Sequence, residues 1–223
     1  MNILELALSE GRKTLSEYES KRVLSDYGIP VAREVLVRNE DELKSALDVI
    51  GLPVAVKGCA PDITHKTDLD LIRLDLKTEG EALSAFRQIL SQMAGIRGAA
   101  TLVQKMAKGK REFLAGMTRD PQFGPCVMFG LGGILTEALD DVSFRVAPLQ
   151  TRDAIEMINE IRSRKLLGSF RGMPPVDLKS LEQILINLGR LGIENDRIQE
   201  IDINPLIIED SLPVAVDALI VLN

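Results

Sequence analysis

The strands of this chain do not alternate with helices in the way a parallel sheet requires. Residues 54–57 and 71–76 read as two strands joined by a polar loop. The second alternates Ile72, Leu74 and Leu76 with Arg73 and Asp75, the pattern of a half-buried antiparallel strand. Further on, residues 101–106, 111–119, 126–129, 134–139 and 144–147 follow one another as strands, and 198–203, 206–208 and 214–221 close the chain. The mixture argues against a doubly wound sheet and predicts an α+β chain built on antiparallel sheets.

Helices fill the gaps, and their ends are marked. Ser16 with Glu19 makes a capping box for a helix over 15–27, which Gly28 and Pro30 stop. Asn39 with Glu42 and Thr78 with Glu81 cap two more. Their apolar positions, Leu43, Ala46, Leu47 and Ile50, then Leu83, Phe86, Leu90 and Met93, keep helical spacing. Thr151 is expected to cap a helix reaching about Arg162, and Asp177 starts the strongest apolar stripe, from Leu178 to Leu191. Residues 107–110, Ala-Lys-Gly-Lys, read as a hairpin-like turn with two exposed lysines. The change of pattern near 98–101 predicts two lobes, residues 1–100 and 101–223.

With 223 residues, 45% of them hydrophobic, the chain is long enough for two lobes with cores of their own. A net charge of -6 with few aromatics gives no electrostatic footprint for nucleic acid. Anions would be handled through a few placed cations. Cys59 and Cys126 form no CxxC pair, and two buried free thiols are the simpler reading. No signal peptide and no run of about 18 apolar residues is present, so no membrane span and a cytoplasmic location are expected.

Four groups of residues carry chemistry. Lys57 ends an apolar strand, where a lysine either snorkels to solvent or holds a phosphate as a point charge. His65, the chain's single histidine, sits in the loop that follows. A lone loop histidine is more often a surface residue than a catalytic one. As a nucleophile it would be neutral near pH 7, and a phosphorylated imidazole is a transferable intermediate. Gly130-Leu-Gly-Gly133 lacks the third glycine of a dinucleotide fingerprint, Leu135 standing there. It is either a tight turn or a place where backbone N–H groups of Gly132 and Gly133 approach a phosphate. Asp202 and Asn204 share a strand face by alternation, with Asp217 on a later strand. Their oxygens suit Mg²⁺, and Asn204-Pro205 equally suits a turn.

Six segments, in order, resemble one family. They are Pro61-Asp-Ile-Thr-His-Lys-Thr-Asp68, Thr118-Arg-Asp-Pro-Gln-Phe-Gly-Pro125, Met128-Phe-Gly-Leu-Gly-Gly133, Phe170-Arg-Gly172 with Pro174-Pro-Val-Asp177, Asp202-Ile-Asn-Pro205 and Ala215-Val-Asp-Ala218. Together they resemble the β subunit of ADP-forming acyl-CoA synthetases, relatives of succinyl-CoA synthetase. The resemblance implies an ATP-grasp fold with ATP or ADP between two lobes. It implies Lys57 on the phosphates, an adenine slot at Gln104 and Met106, and Glu112 close to the ribose or adenine. It implies Mg²⁺ at Asn204 and Asp217 with Asp202 nearby, and phosphorylation of His65. It further implies an α subunit with a CoA-binding domain, in an α2β2 assembly, whose own histidine passes the phosphoryl group to His65 and so to ADP.

The chain departs from the family where Asp70 and Leu71 replace a glycine pair, which would put a negative charge near the phosphates, and where Ser169 replaces a glycine. Two other readings accompany the resemblance. One is a stand-alone ATP-grasp carboxylate ligase, which needs no histidine. The other is a degenerate ATP-grasp regulatory module associated with an acyltransferase, which the lost glycine pair would fit.

Overall fold

The computed structural model describes residues 2–61, 63, 69–133 and 141–223. His65 and the strand expected over 134–139 lie outside the described residues. The ten described strands form two separate antiparallel sheets, as the strand-rich pattern predicted. By contacts the chain divides into two compact units. The first comprises Met1–Thr14, Ser20–Val31 and Lys108–Asn223, and the second Leu15–Glu19 and Ala32–Ala107.

The second unit holds strands β1 (Glu34–Val37), β2 (Val54–Cys59), β3 (Ile72–Leu76) and β4 (Ala100–Lys105), in the order β1-β4-β2-β3. The division after Ala107, rather than near residue 100, follows from β4. That strand is hydrogen-bonded between β1 and β2 and so belongs inside this sheet. One face is covered by helices over Glu40–Ile50 and Glu79–Gln92, which start where the sequence marks them. Asn39 Oδ1 accepts from the Glu42 N–H at 2.9 Å, and Thr78 and Glu81 close a capping box. Val54, Val56 and Val103 meet Leu43, Leu47, Phe86 and Ile89 in the core of this unit. β3 is an edge strand, and its alternation is not a buried face: Leu74 is 60% exposed.

The first unit holds β5 (Glu112–Asp120), β6 (Gly124–Leu131), β7 (Val142–Val146), β8 (Ile198–Glu209), β9 (Leu212–Ala215) and β10 (Leu219–Leu222). The sheet runs β10-β8-β5-β6-β7, with β9 paired to β8. Since β4 and β5 lie in different sheets, residues 107–110 are a crossover and not a hairpin turn. Helices over Thr151–Glu160 and Leu178–Glu194 pack on one face. Phe113, Ala115, Met117, Val127, Phe129, Ile201 and Ile203 are buried there, and the Phe113 and Phe129 rings stack 5.6 Å apart. Gly192 lets the second helix approach: a Cβ there would lie 2.9 Å from Pro125 and 3.0 Å from Met117. The first helix is capped one residue earlier than expected. Gln150 is its N-cap, and Asp153 accepts from the Gln150 N–H at 2.7 Å.

The helix Glu17–Asp26 begins with the expected capping box, Ser16 N–H to Glu19 Oε2 at 2.9 Å and Glu19 N–H to Ser16 Oγ at 3.3 Å. Its first three residues count with the second unit and the rest with the first. Among the described residues no helix is long and apolar enough to cross a membrane.

Candidate functional site

β2 is buried along its whole length, so Lys57 does not snorkel. It is 3% exposed, and its Nζ donates to Glu17 Oε1 at 2.8 Å. Register explains its neighbours. Lys57 stands opposite Leu102 and Ala55 opposite Gln104, so Lys57 and Gln104 project from the same face of the sheet. That face is the one opposite the Val54–Val56–Val103 core. Gln104 is 1% exposed. Met106 follows β4 half-buried, its N–H donating to Pro53 O at 3.3 Å. Glu17 has no motif around it, because its partner is 40 residues away and only the tertiary fold joins them.

The substituted glycine pair has a different effect from the one expected. Asp70 takes a φ of 54°, the left-handed conformation that favours glycine, so the backbone shape survives the substitution. Its carboxylate is chelated by Arg73, Nη1 to Oδ1 at 2.9 Å and Nη2 to Oδ2 at 2.8 Å. These bonds hold the Asp70 pKa below its ordinary value. The added negative charge is therefore neutralised locally. Leu71 is buried in the core of the second unit, and its carbonyl accepts from Gly58 N–H at 2.8 Å.

In the first unit, the sheet face away from the helices carries Asp202. Cross-strand register places it between Leu219 on β10 and Gly116 on β5, with Glu200 two residues away on the same face. Burial, then the charges of Glu200 and Asp217, raise its pKa to about 6. Asn204-Pro205 is no turn. Phe113 pairs with Leu206 but Ala115 with Ile203, so one extra residue sits on β8 as a bulge. The bulge shifts the buried positions from Ile201 and Ile203 to Leu206 and Ile208, and leaves Asn204 exposed. Asp217 Oδ1 accepts from the Ala218 N–H at 2.8 Å.

These oxygens fit a divalent cation. Asp202 is a carboxylate that burial and two neighbouring carboxylates hold back from ionising, a condition that a hard cation relieves. No group of three or more His, Cys, Asp or Glu residues forms a closed cage among the described residues.

Glu112, Gly132 and Gly133 come together on a cavity of about 730 Å³ in the first unit. Gly132 N–H donates to Glu112 O at 3.0 Å, so that donor is committed. The glycine is required by closeness instead: a Cβ on Gly132 would stand 2.5 Å from Phe113 O. Lys108, Lys110 and Arg171 also line the cavity, and none of the three forms an ion pair among the described residues. Arg171 has a φ of 46° at the tip of a tight turn closed by Phe170 and Met173, with Gly172 beside it. Arg111, 4% exposed, fixes that wall by donating to Leu166 O at 2.9 Å, Gly168 O at 3.2 Å and Pro174 O at 2.7 Å. Burial lowers its pKa from the usual value. Arg111 and Glu17 carry no signal of their own in the sequence, although Arg111 directly follows the Lys-Gly-Lys run of residues 108–110.

A family model for the ATP-grasp domain matches residues 6–222. The chain belongs to the ATP-grasp family. Within it, the chain groups with the β subunits of ADP-forming acid–CoA ligases. It is 43% identical over 224 residues to the acetate–CoA ligase (ADP-forming) I subunit β of Pyrococcus furiosus, covering 99% of this chain and 96% of that one. The acetyl-coenzyme A synthetase 1 of Ca. Korarchaeum cryptofilum, described as dinucleotide forming, superposes with a TM-score of 0.93. In that complex with coenzyme A, Ca-AMPCP and HgCl⁺, identity is 43%, over 99% of this chain and 98% of the other. A second structure of that synthetase holds coenzyme A and Mg-AMPPCP, with its phosphohistidine segment pointing towards the nucleotide binding site. It gives a TM-score of 0.87 and 42% identity over 99% and 98% of the two chains. The ATP-grasp fold expected from the six segments is thus the fold of this ATP-grasp protein.

Proposed function

We propose that this chain is the nucleotide-handling β subunit of an ADP-forming acid–CoA ligase, and that it carries a phosphoryl group on His65. The observation that carries the reading is the end-to-end similarity to the Pyrococcus furiosus β subunit, which leaves no domain of that relative unaccounted for. The Mg-AMPPCP and phosphohistidine segment of the Korarchaeum synthetase support the nucleotide and the relay.

An α subunit with a CoA-binding domain converts acyl-CoA and phosphate to free acid, CoA and a phosphohistidine of its own. The His65 imidazole attacks that phosphorus: one P–N bond breaks as another forms. A terminal oxygen of ADP then attacks, the P–N bond to His65 breaks, and ATP results. By the resemblance, Lys57, Gln104, Met106, Glu112, Gly132 and Gly133 are the nucleotide-binding residues. Asp202, Asn204 and Asp217 would hold Mg²⁺, which when bound supplies neutralising charge to phosphate oxygens. The assembly is α2β2. Cys59 and Cys126, neither of them in a disulfide, suit the cytoplasm.

His65→Ala is expected to abolish acyl-CoA-dependent ATP formation in the reconstituted complex while sparing ADP binding. Retained turnover would favour direct transfer from acyl phosphate to nucleotide and end the relay reading.

A further inference from the structure

Lys57, as the structure holds it, is already neutralised. Its side chain is 4% exposed and that of Glu17 is 2% exposed, with 2.8 Å between Nζ and Oε1. An ammonium and a carboxylate in contact carry no net charge, and at this burial water screens neither. A phosphate approaching the pair meets the repulsion of Glu17 together with the attraction of Lys57. Both residues belong to the second unit. Both also sit on fixed backbone. Glu17 lies in a helical turn closed by the Ser16–Glu19 capping box, and Lys57 lies on a strand bonded to neighbours on both sides. Breaking the contact therefore requires side-chain rotation and not a shift of either element.

We propose that Glu17 is an exchangeable counterion: it compensates the Lys57 ammonium when no nucleotide is bound and yields it to the nucleotide phosphates. The inference rests on the proposed contact between Lys57 and phosphate. Its consequence follows from a thermodynamic cycle. Glu17→Gln leaves the ammonium buried beside a neutral amide in the free protein, which is costly. In the complex the phosphates compensate the same ammonium. The variant thus loses stability mainly in its free form, and the difference returns as nucleotide affinity. In the native chain Glu17 acts through Lys57, as a positioning residue that lowers affinity so that nucleotide leaves after phosphoryl transfer.

The test is calorimetric titration of the full chain with MgADP, beside thermal unfolding with and without MgADP. Glu17→Gln is expected to unfold earlier without nucleotide, to bind MgADP about tenfold more tightly, and to gain more in Tm on its addition. In the reconstituted enzyme, KM for ADP and kcat fall together as release slows. Glu17→Asp, whose shorter reach loosens the contact without removing the charge, binds about threefold more tightly and serves if the glutamine variant fails to fold. Unchanged or weaker binding in these variants overturns the counterion role, since a purely structural glutamate would lower Tm without tightening nucleotide. The double variant Glu17→Gln with Lys57→Met separates the two readings. If it binds MgADP as tightly as Glu17→Gln alone, Lys57 does not touch phosphate and that assignment fails. If it binds more weakly while Glu17→Gln is no tighter than wild type, the contact stands and only the exchange fails.

Discussion

The two units treat charge in opposite ways. In the second, Lys57 and Glu17 are almost completely buried and cancel each other at 2.8 Å. In the first, burial, and after it the charges of Glu200 and Asp217, raise the Asp202 pKa to about 6. A buried pair of this kind adds little net stability but is costly to break by halves. A cluster of like charges does the reverse, lowering stability until a cation arrives. The difference teaches what each place requires of a ligand. Under the proposed function the acidic place is improved by Mg²⁺, whereas the basic place gains from an anion strong enough to replace Glu17.

The largest effect tests the first half of that contrast. Lys57→Met alone leaves Glu17 buried without its cation and is expected to cost about 3–5 kcal/mol in urea unfolding. Adding Glu17→Gln should return most of it. Equal losses in the single and double variants would mean that the pair is not coupled.

A smaller effect tests the second half. Asp202 titrates at about 6 in the folded chain and at about 3.9 when unfolded. Between these values the folded chain holds a proton that the unfolded chain has released. The contribution of Asp202 to the stability of the metal-free protein is therefore fully present below the unfolded value and is lost as pH rises through the folded one. After allowance for solvent screening the loss is about 1–2 kcal/mol. Urea unfolding at about pH 5 and about pH 7.5, with EDTA and then with MgCl₂, measures it. Mg²⁺ should reduce the loss, and Asp217→Asn should shrink it by removing one of the repelling charges. A flat profile in EDTA would break the comparison.

The smallest effect concerns Asp70. Because Arg73 already chelates its carboxylate and its φ of 54° suits glycine, Asp70→Gly is expected to change nucleotide affinity by less than about threefold. A tenfold gain would show that its charge reaches the phosphates after all.

Local spacing made much of this legible in the sequence. The Ser16–Glu19, Asn39–Glu42 and Thr78–Glu81 caps are interactions between residues three apart, and each is present. What failed depended on partners distant in sequence. Residues 107–110 look like a hairpin turn, yet the strands on either side pair with others. Leu74 alternates with Ile72 and Leu76 in sequence, but one extra residue bulges β3 opposite Val54–Val56, so Ile72 and Leu76 fall on opposite faces and Leu74 is left exposed. Asn204-Pro205 carries turn chemistry, yet β5 pairs on both sides of it and makes it a bulge. Glu17 has no local signal because its meaning comes from Lys57, which only the folded second unit places beside it.

The central claim is that the chain carries a phosphoryl group on its single histidine. Incubating it with γ-labelled ATP, Mg²⁺ and its CoA-binding α subunit, followed by peptide mapping, tests this directly. The account predicts an acid-labile, base-stable phosphate on His65, lost to added ADP and absent from His65→Ala. No label on His65 under those conditions, with ATP still formed from acyl-CoA, ADP and phosphate, would contradict it.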